Sequence, residues 1–350
     1  MTAETCGKID LQERVPIPLW AKARDQEWAP WCGAFAVSNS VSFEIGEGIS
    51  ALFLASTQEK IMRRSVDSSI AYNEEELMKD YRGGYNLPTC DLVNIYNKIG
   101  YCPYAALEGT EITVSKLEEL RQIKFAKEIF EEVQPPYSAE DVKSMLHEKF
   151  PAVPGLEAEL RILESLKMPE TGASFLEFAG EFAARKCKAS VKNPSLKLQC
   201  GYYVGSKDSN WSGTLDRLLK ANHMPVLIFN EKPIYTNLVE MPDYAPHAVS
   251  VDGRRWNKSR QRCEYRISNS IGLPDCKYYG KSVTCDPSEV LSGHVWIDGS
   301  MIEQSSLNIA LIQKLTNGHR KRSLRECQWV AQNRRILCIV LLLNRAGHAA

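Results

Sequence analysis

Gln26-Glu27-Trp28-Ala29-Pro30-Trp31-Cys32-Gly33-Ala34-Phe35-Ala36 puts a proline and then a cysteine at the head of an apolar run. Pro30 suits a first helical turn, where a missing N–H costs nothing. Trp31, Ala34, Phe35 and Val37 supply an apolar face, so the spacing predicts a helix from Trp31 to about Ile45, ended by Gly46 and Gly48. Cys32 would then sit in the first turn, where unpaired N–H groups and the helix dipole favour negative charge. That matters because a thiolate is a potent nucleophile and a neutral thiol a modest one. The same amides can receive an oxyanion. Gln26, six residues earlier, is a second amide donor on a loop short enough to fold back.

A thiolate needs a base. Of the six histidines, His147 falls in a charged region, His319 and His348 fall near the end, and His223 and His294 are rivals to His247. His247 follows Pro246 and opens an apolar strand, Ala248–Val251. The polar loop Asp252–Arg262 leads into a second strand, Cys263–Ser268, in which Tyr265 and Ile267 alternate with Glu264, Arg266 and Ser268. A hairpin centred near Lys258 sets residue 247 opposite residue 269. An Asn269 carboxamide can then accept from one imidazole nitrogen and leave the other facing the thiolate.

Helical spacing continues through Ile49–Arg63, Glu74–Lys79 and Leu87–Ile99, with a break at Gly83-Gly84. From Glu111 to about Lys186, charged helical segments dominate: Lys116–Glu132, Ala139–Phe150, Glu157–Leu166 and Gly172–Arg185, which read as a helical insertion on the surface. After Cys187 the pattern turns to strands, at Pro225–Phe229, Ala248–Val251, Cys263–Ser268 and Val295–Ile297. The expectation is therefore an α+β protein with a helical lobe (8–110), a helical insertion (111–199), a β-rich lobe (200–310) and a basic extension (311–350).

Composition narrows the function class. With 350 residues, 44% hydrophobic and 25% charged, the chain is an ordinary globular one that can bury a sizeable core. Lys+Arg and Asp+Glu are both 43, which argues against a polyanion as main partner, so nucleic acid is not expected. The basic runs Arg320-Lys321-Arg322 and Arg334-Arg335 read as a solvated tail. No run is long enough to span a bilayer, the apolar Ile336–Leu343 being far too short, and the first ten residues lack a secretion-signal core. The chain as given is expected to be soluble; secreted, periplasmic or lysosome-like locations would require a leader removed beforehand. Eleven cysteines leave ten if Cys32 is free, either pairing in an oxidising compartment or buried as thiols. Near neighbours are Cys90 with Cys102, Cys187 with Cys200, and Cys263, Cys276 and Cys285. Without a CxxC pair or His at ligand spacing, no metal or other cofactor is implied.

Taken together, these segments resemble the papain-like cysteine peptidases. Gln26, Cys32 and Phe35-Ala36 fit the family's Gln, its Cys six residues later and a following Phe-Ala pair. His247-Ala248-Val249 and Asn269-Ser270-Ile271-Gly272 are similar to its later His and Asn segments. Met224-Pro225-Val226 resembles the lead into its second lobe. Asp80-Tyr81-Arg82-Gly83-Gly84 resembles its Gly-Gly stretch, which implies that Gly83 and Gly84 hold an extended substrate. The resemblance covers roughly 8–105 and 200–305. It implies a two-lobe fold, with a helical N-terminal lobe, an antiparallel barrel-like C-terminal lobe and a cleft between them. It also implies an activity, the hydrolysis of peptide or protein substrates through a thioester, with Cys32 as nucleophile, His247 as acid and base, Asn269 as orienting residue and Gln26 in the oxyanion hole. A protein inhibitor or propeptide-like regulator is a further expected partner. Three positions depart from the pattern. Gly33 replaces Trp, Ala29 replaces a disulfide cysteine, and Ile271 replaces the tryptophan over the Asn–His pair, which predicts a more solvated pair. A transpeptidase or amide ligase, and a degenerate binding or scaffold module, are the alternatives on the same fold.

Overall fold

The computed structural model describes residues 5–15, 26, 31–66, 89–107, 112–132, 144, 175–204, 210–236, 239, 242–271, 273, 275–290 and 293–315. Its elements are β1 (Ile9–Asp10), α1 (Cys32–Ile45), α2 (Ala51–Val66), α3 (Thr89–Ile99), α4 (Val114–Glu132), α5 (Phe175–Cys187), β2 (Leu198–Val204), α6 (Trp211–Lys220), β3 (Val226–Asn230), β4 (Pro246–Asn257), β5 (Arg262–Ser268), β6 (Val283–Thr284), α7 (Pro287–Val290), β7 (His294–Asp298), α8 (Gly299–Ser305) and β8 (Ser306–Lys314). The chain is α+β. Helices fill its first half, and one sheet runs β2-β8-β3-β4-β5-β7-β6, every pairing antiparallel, with β1 on β4.

Both faces of that sheet are covered, because successive strand side chains point to opposite sides. Val226 and Ile228 of β3, Ala248 of β4 and Ala310 and Ile312 of β8 join the helices α1 to α5 in one apolar cluster. Leu227 and Phe229, Val249 and Val251, and Ile309 join Leu215 and Leu219 of α6 and Met301 and Ile302 of α8 in the other. Double coverage also explains β5, where the expected division into an apolar and a polar side fails. Tyr265 and Ile267 are fully buried, but so is Glu264, which accepts from Asn257 Nδ2 at 2.8 Å and pairs with Arg255 at 3.2 Å.

The expected surface insertion has its described helices in the core. Val114, Leu117, Leu120 and Ile123 of α4, and Phe178, Ala179, Phe182 and Ala183 of α5, are all buried with α1, α2 and α3. Their apolar positions recur every three or four residues, the period of one helical face. Ala139–Phe150 and Glu157–Leu166 lie, apart from residue 144, outside the described residues, as do Glu74–Lys79, Ala29 and the chain after 315. Strands β2 and β8, which the sequence reading did not mark, pair with each other from Leu198↔Lys314 to Val204↔Asn308.

Disulfides Cys6–Cys263, Cys90–Cys200, Cys102–Cys187 and Cys276–Cys285 tie these elements together, and Cys32 is free and buried. Of the near neighbours in sequence only Cys276 and Cys285 are joined; Cys90 and Cys102 go to different partners, because they flank α3 at opposite ends. At the start of α6 the Asn210 side chain accepts from the Gly213 N–H at 2.7 Å, satisfying one otherwise unpaired donor. Asn210→Ala is expected to lower stability by about 1 kcal/mol, read as a lower urea midpoint with an unchanged slope.

Candidate active site

Cys32 is the first residue of α1, and its neighbour Trp31 caps the helix without a side-chain hydrogen bond. The first-turn amides therefore take no side-chain cap, and the backbone of Cys32 and Gly33 lies against the thiol, where it favours the thiolate against the penalty of burial. The backbone at Ala248, the residue after His247, also favours the thiolate, as packing of α1 on β4 brings the thiol beside the histidine segment. Gly33 is buried in turn under Leu92 of α3, whose Cδ1 lies 3.9 Å from where a Cβ at position 33 would sit.

His247 lies at the start of β4, opposite Phe229 of β3, and its ring meets the Phe229 ring edge-on at 6.2 Å between centroids. Its Nε2 is 3.1 Å from Asn269 Oδ1. The hairpin register differs from the expected one. Ser250 pairs with Ser268, which carried outward sets residue 247 opposite 271, two positions past Asn269. The turn falls later than Lys258, and a bulge at Asp252 shifts the register again. A slip of two keeps the same face, so the two side chains meet as diagonal neighbours.

Several bonds fix the amide. The Ile271 N–H donates to Asn269 Oδ1 at 3.3 Å, while Asn269 Nδ2 donates to the Tyr235 hydroxyl at 3.0 Å and the Tyr279 hydroxyl at 3.4 Å. Oδ1 therefore faces the imidazole, and Nε2 carries the proton it receives. The expectation of a solvated pair is corrected here: His247 and Asn269 are each 2% exposed. Tyr235 and Tyr279, with ring centroids 5.6 Å apart, cover the pair in place of the missing tryptophan.

Gln26 is buried and docks on the next residue along, its N–H donating to the Ser270 carbonyl at 2.7 Å and its Oε1 accepting from the Ser270 hydroxyl at 2.5 Å. That leaves Nε2 as the donor end of the side chain. His247 and Asn269 thus meet directly, Gln26 meets Ser270, the residue after Asn269, and Cys32 lies by Ala248, the residue after His247. Gly83 and Gly84 lie outside the described residues.

One acid joins this group that sequence reading passed over. Glu231 follows β3, is 5% exposed, and lies with Oε2 3.6 Å from His247 Nδ1. The β3–β4 register would have revealed it, since Glu231 stands two residues beyond the partner of His247, on the same face. Burial dominates the charges. It pushes the Cys32 thiol up to about 11, with the nearby Glu231 adding to the rise, and pushes Glu231 up to about 8. It also draws His247 down to about 4, against the Asn269 bond that favours its charged form. Each of these shifts favours the uncharged form of its group.

No family model matches the chain, and no curated protein does. Among solved structures, proCathepsin B S9 from Trypanosoma congolense aligns over 90% of this chain and 82% of its own, with 13% identity and a TM-score of 0.38. The proform of Amb a 11, a ragweed pollen cysteine protease, aligns over 89% of this chain at 12% identity and TM-score 0.38. In its two crystal structures, 65% and 59% of the Amb a 11 chain is covered, so this chain spans less than two thirds of that protein. These values mark a distant likeness; the functional reading rests on the geometry above.

Proposed function

We propose that this chain is a papain-like cysteine peptidase, a two-lobed α+β enzyme with Cys32 as its nucleophile. The observation that carries the reading is a buried His247–Asn269 bond at 3.1 Å on the strand that packs against a helix whose first residue, at an N-terminus with no side-chain cap, is Cys32. Cys32 gives its proton to His247 Nδ1 and its sulfur attacks the amide carbonyl carbon, while the oxyanion takes the Cys32 N–H and Gln26 Nε2. The imidazolium passes that proton to the leaving nitrogen as the C–N bond breaks, leaving a thioester. Water, deprotonated by His247, then releases the acid and restores the thiol. Gly83 and Gly84 hold substrate backbone in this reading. The substrate is a peptide or protein, and the regulator a protein inhibitor or propeptide-like segment. Four disulfides favour an oxidising compartment; no described helix is long and apolar enough to cross a membrane.

One observation favours a second reading, a binding module on the same fold. Cys32 is buried, and among the described residues no hydrogen bond joins it to His247. Alkylation separates the two. In a peptidase, Cys32 labels measurably at pH 6–7 through the fraction of sites in which His247 takes its proton, and His247→Ala removes that labelling. In a binding module, labelling rises only at alkaline pH and ignores His247. Peptide mapping of iodoacetamide-treated protein from pH 4 to 10 decides between them.

A further inference from the structure

His247, Asn269, Tyr235 and Glu231 form a ring with one direction of donation. His247 Nε2–H points at Asn269 Oδ1 (3.1 Å), Asn269 Nδ2–H at the Tyr235 oxygen (3.0 Å), and the Tyr235 hydroxyl hydrogen at Glu231 Oε2 (3.3 Å). The ring closes where the same Glu231 oxygen faces His247 Nδ1 at 3.6 Å. That separation is wider than a hydrogen bond and within reach of a small side-chain rotation. Because Nε2 is committed to Asn269, Nδ1 holds the imidazole's single available lone pair. Two acids stand ready to protonate it: the Cys32 thiol and the Glu231 carboxyl.

We propose that Glu231 is a positioning residue that competes with Cys32 for the lone pair on His247 Nδ1 and so holds the site in a resting arrangement. The inference rests on the peptidase reading, which needs the Cys32 proton on Nδ1. When the Glu231 O–H donates to Nδ1, the thiol keeps its proton and is unreactive. When the carboxyl swings away, Cys32 S–H transfers its proton to Nδ1 and the thiolate–imidazolium pair forms. The other groups facing this pair are few. Cys32 approaches from α1, the Tyr235 and Tyr279 hydroxyls cover Asn269, and Phe229 offers only its ring; Lys232, next in sequence, is engaged with Asp243 at the surface. Burial, which keeps the carboxyl protonated and the imidazole neutral near pH 7, is consistent with this resting state.

The test compares Cys32 alkylation by iodoacetamide in the full chain, from pH 4 to 10, for wild type, Glu231→Met, Glu231→Gln and His247→Ala. Glu231→Met removes the competing donor, and the rate at pH 6–7 is expected to rise about tenfold, the equivalent of about one pKa unit. Glu231→Gln keeps an N–H at the same place and is expected to fall between the two. A residue that merely supported the fold would, on replacement, expose the buried thiol and raise labelling along an ordinary thiol profile. The deciding signature is therefore a downward shift of the profile's midpoint in Glu231→Met, and a raised rate with an unmoved midpoint also overturns the proposal. A Glu231→Met curve that superimposes on wild type or lies below it overturns the proposal. Should that variant fail to fold, a Glu231→Gln curve at or below wild type does the same. If His247→Ala leaves wild-type labelling unchanged, it is the peptidase reading that falls. If His247→Ala abolishes labelling and the Glu231 variants change nothing, only the Glu231 proposal falls.

Discussion

Cys32→Ala is expected to reduce peptide hydrolysis by about 10⁴-fold or more while leaving the fold intact. The whole proposed route passes through the sulfur, since no other described cysteine is free. Losing one sulfur from a site closed by α1, α3 and β4 leaves a small void, so the cost in stability should stay near about 1 kcal/mol. The check is hydrolysis of a mixed peptide library together with urea unfolding of the same samples. Cleavage that survives in Cys32→Ala would remove this residue from the chemistry. His247→Ala should match the loss within an order of magnitude, because nucleophile and base act as one unit.

Arg266→Met is expected to cost about 3–5 kcal/mol of stability near neutral pH. Arg266 donates from Nε to Asp252 Oδ1 at 2.7 Å, and from its two terminal nitrogens to Asp10 at 3.0 and 2.6 Å. Asp252 is also met by Gln12 Nε2 at 2.5 Å and His294 at 3.4 Å. The cluster fastens β1, at the front of the chain, onto β4. Removing the guanidinium strands two carboxylates, one of them 1% exposed. Against the penalty of burial, the Arg266 charge and His294 hold Asp252 down at about 2. A carboxyl with a depressed folded value contributes stability that is present above its unfolded value of about 3.9 and lost as pH falls through about 2. In Arg266→Met the largest opposing charge is gone while the burial penalty remains, so the carboxyl takes up a proton more readily than in the wild type. The deficit should then be largest near pH 7 and shrink towards pH 4. Urea midpoints of both proteins at pH 4, 5.5 and 7 measure this, and Asp252→Asn added to Arg266→Met should recover part of the loss. A deficit independent of pH would show that the cluster acts by packing alone.

Local sequence pattern was enough to place several of the elements and to single out candidate site residues. Helix α1 begins one residue from where Pro30 and the apolar spacing put it, and β3, β4, β5 and β7 each fall on an expected apolar run. The reason is local: helix starts, strand alternation and the chemistry of a cysteine at an amide-rich helix end are all set within a few residues. Cys32 at a helix start, His247 at a strand start and Asn269 at a strand end were legible for that reason.

What only the tertiary structure decided is every relation between distant segments. β2 and β8 are strands because each completes the other's hydrogen bonds across more than a hundred residues, and neither carries an alternation strong enough to announce it. The surface-looking helices α4 and α5 are core because α1, α2 and α3 leave an apolar face that must be covered. Disulfide partners follow from where α3 points, so neighbours in sequence were a poor guide. The same holds at the site. Glu231, Tyr235 and Tyr279 surround His247 and Asn269 through a strand register, and Tyr rings do the covering that Ile271 alone does not. Periodicity fixes which way a side chain faces along its own element; which groups it meets there depends on packing, and that is a property of the whole chain.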